Sequence, residues 1–314
     1  MLQRLPENRV AILLSTYNGE RFLPAQLESL LEQTFEEWTL YWRDDASTDN
    51  SVALVEEFAR TAGQGRCVQI QCTSTRLRPT TSYLTLLAAV QNRLAESDMV
   101  AFADQDDVWL PDKLARGVAA LHDLANQVPA LYCARQMLVD EQLNPLGLSL
   151  RLTEPPGFPA ALIQNVTTGC TLVLNRRAVA LVANSTPPSA SLHDWWCYLV
   201  VTAAGGRLLT DDAATVLYRQ HPANLIGAVN SMPRRAVAAM RRGRAIYMEV
   251  LRQHVGALMA QPHLLTPGAR KQVEIIDHAL KGSLLHRVLA LFMPGLRRQT
   301  FPEMAGFWVW FLAG

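Results

Sequence analysis

The chain has almost no net charge, few cysteines and no long apolar run, and each shortage removes a class of function. Lys and Arg number 29 against 28 Asp and Glu, a formal net charge of +1. A nucleic-acid partner would call for a basic balance or a recognition motif, so none is expected. The five cysteines (Cys67, Cys72, Cys133, Cys170, Cys197) include no Cys-x-x-Cys pair. An odd, scattered set in apolar runs predicts buried thiols in a reducing compartment, not a disulfide frame or a zinc site. Residues 1–9 lack the apolar core of a secretion signal, and no run approaches the roughly 20 apolar residues of a membrane-crossing helix. The longest candidate, Met304–Gly314, is too short to span. There is no internal repeat and no low-complexity linker. A chain of 314 residues, 49% hydrophobic, reads as one large cytoplasmic domain with an appendage.

The charge that is present is unevenly placed. From Ser231 to Gly314 there are 12 Lys and Arg against 4 Asp and Glu, which makes that segment +8 and residues 1–230 −7. The balanced total therefore hides an acidic body, 1–230, and a basic tail, 231–314.

Three polar stretches in the body share one setting. Ser15-Thr16-Tyr17-Asn18-Gly19-Glu20 follows the apolar run Val10–Leu14 and precedes a helical pattern through Phe22, Leu23, Gln26, Leu27, Leu30 and Leu31. Arg43-Asp44-Asp45-Ala46-Ser47-Thr48-Asp49-Asn50 follows Trp38–Trp42 and precedes Val52, Leu54, Val55 and Phe58. Asp104-Gln105-Asp106-Asp107 closes Met99–Ala103 and leads into Val108–Leu114. Strand, polar loop and helix in succession argue for an α/β fold with a mostly parallel sheet. The loops then emerge together at the carboxyl edge, where such sheets bind ligands. Three carboxylates within four residues repel one another, so a strand end that keeps them ionised needs a cation or a polar ligand. Oxygen donors suit Mg²⁺ or Mn²⁺, which in turn suit phosphate. One crevice with a phosphate-compatible metal predicts a nucleotide. The bland alternative is a solvated acidic turn with Asp107 capping a Pro-initiated helix.

These loops, together with Gly169-Cys-Thr-Leu-Val-Leu-Asn-Arg176, His193-Asp-Trp-Trp196 and Tyr218-Arg-Gln-His221, resemble the signature segments of family 2 glycosyltransferases with the GT-A fold. The similarity is greatest to the bacterial rhamnosyltransferase branch of surface-polysaccharide assembly. It covers about residues 8–227, in order. Two departures stand out: Ala46 occupies a position usually held by Gly, and Arg76–Tyr83 replaces an Asn-x-Gly element. The resemblance implies a GT-A doubly wound sheet flanked by helices, with a C-terminal helical appendage. It also implies an inverting transfer of a sugar from a nucleoside diphosphate, UDP- or dTDP-linked, to a hydroxyl of a glycan or lipid-linked acceptor.

On that reading Asp106 is the metal ligand, and Asp104 faces the ribose or the metal's water shell. His221 is a further metal or phosphate contact, or a loop histidine with a structural hydrogen bond. Asp194 falls where the family's general base lies; an N-capping carboxylate is its structural alternative. Ser15, Tyr17 and Asp45 hold the nucleoside, Tyr17 by stacking on the base and Asp45 by accepting the pyrimidine imide N–H. Arg219 pairs a diphosphate oxygen. Glu20 is either a donor contact or a favourable charge in the first turn of a helix.

The tail repeats arginines (Arg234, Arg235, Arg241, Arg242, Arg244, Arg252) along an apolar helical pattern and ends near Trp308 and Trp310. Basic helices with bulky aromatics predict attachment to the inner membrane face; helices packed on the body are the alternative. Two other functions stay open at this point. One is a sugar-nucleotide nucleotidyltransferase, although the loop after the first strand has no Lys or Arg inside Ser15–Glu20. The other is a non-catalytic membrane-attached assembly protein.

Overall fold

Each of the three apolar runs becomes a strand that delivers its polar loop to the same sheet edge. The computed structural model of the chain describes residues 9–71, 75–124, 127–154, 156–222, 224 and 232–314, with backbone only over 232–242. β1 (Val10–Thr16), β2 (Trp38–Asp44), β3 (Cys67–Gln69) and β4 (Met99–Ala103) pair in parallel in the order β3-β2-β1-β4. β5 (Val108–Trp109), β6 (Ala130–Val139), β7 (Pro145–Leu148), β8 (Val173–Asn175) and β9 (Arg207–Arg219) complete a nine-stranded sheet among the described residues, ordered β3-β2-β1-β4-β8-β6-β9-β5 with β7 on β6. Parallel pairs carry most of the register, the long β6–β9 ladder included. β8, β5 and β7 run antiparallel to their partners. This is the mixed, mostly parallel sheet the motif order predicts.

Helices α1 (Leu23–Leu31), α2 (Ser51–Arg60), α3 (Arg78–Val90), α4 (Lys113–Leu121), α5 (Ala160–Ile163), α6 (Arg176–Ala183) and α7 (His193–Ala203) flank the sheet. Strand periodicity explains the two-sided core. In β1, Val10, Ile12 and Leu14 join one buried cluster with α1 and α4, while Ala11 and Leu13 join the other with α3 and α7. The expectation that Asp107 caps a helix fails. α4 begins at Lys113 behind Asp112, and Asp107 is wholly buried, separated from that helix by the five residues 108–112.

The tail forms α8 (Met232–Met259), broken at Gly243 where φ is 79°, then α9 (Pro267–Lys281), α10 (Leu284–Leu291) and α11 (Phe301–Ala313). Its inner face is core. Met248, Leu251, Val255, Leu258, Val273, Ile276, Phe307 and Phe311 belong to the same buried cluster as Leu86, Phe102 and Tyr198. Its outer face keeps apolar side chains in solvent, Leu284, Leu285, Leu289, Phe292, Phe301 and Val309 among them. The 230/231 boundary and the side chains of Arg234, Arg235, Arg241 and Arg242 lie outside the described residues. Among the described residues, no helix is long and apolar enough to cross a membrane.

Candidate active site

The three loops are stitched to one another before they touch any ligand. The Gln105 amide accepts the Tyr17 N–H (2.8 Å) and donates to the Tyr17 carbonyl (2.9 Å), joining the loops after β1 and β4. A Cβ on Gly19 would lie 2.4 Å from that Gln105 side chain, so the close approach requires glycine. The loop after β2 joins through Asn18, whose amide oxygen accepts the Thr48 N–H at 2.8 Å. Glu20 takes part in the same junction by accepting the Asn50 N–H at 3.0 Å. Above these loops opens one cleft of about 2070 Å³, lined by Ser15, Tyr17, Asp45, Asp104, Asp106, Asp194 and His221 among others.

Asp104, Asp106 and His221 form the acidic centre. His221 Nε2 lies 2.9 Å from Asp106 Oδ2. The Tyr83 hydroxyl lies 2.9 Å from Asp104 Oδ1. Burial, and next the Asp106 charge, push the Asp104 carboxyl up to about 7. Negative charge here is thus in excess of its counter-charge, and the donors are two carboxylates and an imidazole. The carboxylate oxygens suit a hard divalent cation. Behind it the cluster turns inward. Ligand atoms of Asp104, Asp107 and Cys170 lie within 4.8 Å of one another. Asp107 accepts the Arg219 N–H at 3.1 Å and is raised well above the carboxylate range by burial. Lys113, wholly buried with its ammonium 3.6 Å from the Trp109 ring centroid, is lowered to about 7 by the same burial. Asp107 therefore belongs to the support of the site and lies beneath its surface.

Asp194 stands in the first turn of α7, one position past the helix start, and Leu192 is the N-cap. It is only 7% exposed. Burial pushes its carboxyl up to about 6, opposed by hydrogen bonds from the Trp195 N–H, the Asn165 amide and the Gly169 N–H. The Trp195 N–H lies 2.7 Å from Oδ1. A Cβ on Gly169 would meet His193 Nε2 at 2.4 Å, which explains the glycine beside this helix start. The His193 ring itself lies 4.4 Å from Tyr83 and 5.0 Å from Phe102, and burial lowers it to about 3. It is a neutral packing group between the two carboxylate sites. A buried carboxylate that titrates near 6 and borders the cleft can accept a proton at neutral pH.

On the nucleoside side, the Ser15 hydroxyl lies 2.6 Å from that of Ser82. Asp45 is buried with three donors already on it: the Arg43 guanidinium (2.7 Å), the Leu77 N–H (2.6 Å) and the Arg78 N–H (2.8 Å). Arg76 lies over the Tyr17 ring at 3.6 Å, on a face where a base could stack. The two sequence departures thus meet here. The 76–78 segment closes on Asp45, and Ala46 has φ 68°, the left-handed region that glycine occupies without cost.

Ser15, Tyr17, Asp45, Asp104, Asp106, His221 and Asp194 are all brought to the cleft, whereas Glu20 and Arg219 are not among its lining residues. Glu20 fastens the start of α2. Arg219 donates to the carbonyl oxygens of Asp106 (2.8 Å) and Glu141, and its guanidinium lies over Phe22. It shapes the acidic loop from behind. Sequence reasoning missed Tyr83, Gln105, Asn165 and the cleft wall supplied by the tail. Gln105 stood in plain view inside the acidic motif; the others have no local signal.

The Glycosyl transferase family 2 profile matches residues 11–175. The dTDP-rhamnosyl transferase RfbG of Shigella flexneri is 28% identical over 228 residues, 68% of this chain and 74% of that protein. A UDP-Glc:alpha-D-GlcNAc-diphosphoundecaprenol beta-1,3-glucosyltransferase, WfgD of Escherichia coli, is 29% identical over 127 residues, 39% of this chain and 44% of its own. Among solved structures, S. aureus TarS 1-349 in complex with UDP-GlcNAc superposes with a TM-score of 0.57 at 18% identity, covering 90% of this chain and 84% of that one. The last likeness concerns the fold alone.

Proposed function

This chain belongs to glycosyl transferase family 2, and we propose on that premise that it performs an inverting sugar transfer. The sugar passes from a nucleoside diphosphate to a hydroxyl of a glycan or lipid-linked acceptor in surface-polysaccharide synthesis. Family membership removes the nucleotidyltransferase alternative. The observation that carries the reading is the shared cleft: a proton-accepting Asp194 faces the same space as the acidic centre of Asp104, Asp106 and His221.

Asp194, ionised above about pH 6, takes the acceptor's proton as its oxygen attacks the anomeric carbon. Attack from the side opposite the leaving diphosphate inverts the configuration. Asp106, Asp104 and His221 would hold Mg²⁺ or Mn²⁺, which supplies positive charge against the departing diphosphate. Tyr17 and Ser15 contact the nucleoside, with Arg76 moving off the Tyr17 ring or stacking on the base beside it. Asp45 has one acceptor direction left for a pyrimidine imide. That group is common to uracil and thymine, so the donor is a UDP or dTDP sugar. The likeness to a dTDP-rhamnosyl transferase favours dTDP-rhamnose. Arg219 and Glu20 act by holding loops and do not touch the donor. The protein works in the cytoplasm. The exposed apolar side chains of α10 and α11 attach it to the inner membrane surface.

The test is a screen of UDP and dTDP sugars for hydrolysis with and without EDTA. Chelator-sensitive release of nucleoside diphosphate from at least one donor is expected. No turnover of any donor, or full turnover in EDTA, contradicts the reading.

A further inference from the structure

We propose that the half of the cleft walled by the tail is a saccharide acceptor subsite. Trp195, Tyr247 and Trp310 form its aromatic surface, and Gln164, Arg298 and Glu303 its polar contacts. The inference rests on the glycosyltransferase reading and adds to it the residues that choose the acceptor. Tyr247, Arg298, Glu303 and Trp310 lie outside the segment matched by the family profile.

Space is the first argument. Pockets for single small ligands occupy roughly 300–1,000 Å³, and this cleft holds about 2070 Å³. A nucleotide sugar leaves room for a second ligand of similar size. Position is the second. The charge of Asp194 is felt by Asp104 on one side. On the other, the indole N–H of the adjoining Trp195 is tied to the Ala161 carbonyl at 2.7 Å, next to Ile163, whose carbonyl accepts the Tyr247 hydroxyl at 2.7 Å. The proton acceptor therefore stands between the acidic centre and the tail's wall, where an acceptor hydroxyl must sit.

The third argument is the make-up of that wall. Glu303, Gly306, Phe307 and Trp310 of α11 line the cleft at helical spacing, and Phe301, Trp308 and Val309 point the other way, into solvent. The Trp310 ring lies 5.4 Å from that of Tyr247. The polar groups are held in place: Gln164 donates to Glu303 at 3.0 Å, Thr300 donates to Glu303 at 3.1 Å, and the Gln299 N–H donates to Gln164 at 2.8 Å. Arg298 packs against Tyr247, and its Nε is buried with no hydrogen-bond partner among the described residues. Fixed rings beside fixed carboxylate, amide and guanidinium groups suit a sugar, which presents C–H faces to rings and hydroxyls to planar polar groups. α11 separates this subsite from the outward apolar face.

Saturation-transfer NMR tests the subsite with octyl glycosides of glucose, galactose, mannose, N-acetylglucosamine and rhamnose as probes. Thermal stabilisation by UDP and dTDP with Mn²⁺ is measured on the same samples. Wild type is expected to bind at least one glycoside. Trp310→Ala should weaken that binding at least tenfold and the conservative Glu303→Gln about threefold, with the nucleotide-induced shift kept. The subsite is overturned if no glycoside binds wild type, or if both variants bind as wild type does. Loss of the nucleotide shift in both variants would also overturn it, since the effect would then be general. Wild type that binds a glycoside but gains no stability from either nucleotide would instead sink the proposed UDP or dTDP donor.

Discussion

The body and the tail of this protein are apolar to a similar fraction, yet only the body states its chemistry. In the body, function depends on side chains that a fold alone would not place. Asp104, Asp106 and Asp107 at the end of β4 are a liability to stability and make sense only with a cation or a polar ligand. In the tail, an apolar stripe with arginines on the other side satisfies both a packed helix and a membrane-bound one. The structure bears out the packed description on one face of the tail. Its inner face is core; its outer face is bare.

That contrast can be broken at several points. The largest effect belongs to the body: Asp106→Asn should lower transfer by about 10²–10³-fold, as removal of a charge-stabilising group does. It should also abolish the gain in nucleotide affinity from Mn²⁺, with melting temperature kept. Calorimetry of UDP or dTDP binding with and without Mn²⁺ checks it, and wild-type behaviour would remove Asp106 from the metal site. Next in size, Leu251→Ala in α8 should destabilise the whole domain by about 2–5 kcal/mol in a single unfolding transition, because a buried leucine leaves a cavity. A separate low-temperature transition for the tail would show that the two regions fold apart. For the same reason a 1–230 truncation is expected to be poorly folded, and it is no clean probe of membrane attachment.

A smaller effect tests the outer face. Phe292 is 80% exposed and Leu285 64% exposed, so Leu285→Glu with Phe292→Glu should leave stability unchanged within about 0.5 kcal/mol. The pair should cut co-sedimentation with vesicles containing anionic lipid at least fivefold. Equal sedimentation of wild type and variant would limit the tail to packing and acceptor binding. The smallest effect is Ala46→Gly. Relief of a left-handed alanine is worth about 1–2 kcal/mol, less roughly 0.5–1 kcal/mol for the added freedom of the unfolded chain. A net gain of about 0–1.5 kcal/mol is expected by denaturant titration.

The sheet and its loops were legible because strand periodicity and polar strand ends are local signals. β1, β2 and β4 lie where the apolar runs place them, and seven of the nine expected site residues line one cleft. Glu20 and Arg219 do not line that cleft, because type and motif position do not tell which way a side chain turns. Arg219 serves carbonyl groups from behind the loop. Asp107 was hidden for a related reason: two adjacent carboxylates look alike in sequence, but the β5 turn sends one inward to Cys170 and Lys113. The tail's wall had no signal at all, since Tyr247, Arg298 and Trp310 come to line the cleft of Asp194 only through the packing of α8, α11 and the segment before α11.

The role of Asp194 decides most about the mechanism. Burial raises its carboxyl above the usual 3.8 to about 6. The folded state therefore loses stability as pH rises from 3.8 to about 6 and carries the full penalty above that, while activity as a base appears only as pH rises through about 6. One preparation of Asp194→Asn, measured for donor affinity, melting temperature and transfer rate from pH 5 to pH 8, tests this directly. A general base predicts a loss of about 10²-fold or more, unchanged donor affinity, a melting temperature at pH 8 equal to or above wild type, and loss of the acidic limb near pH 6. A variant that melts lower and keeps more than about a tenth of the wild-type rate with the same pH profile would contradict it.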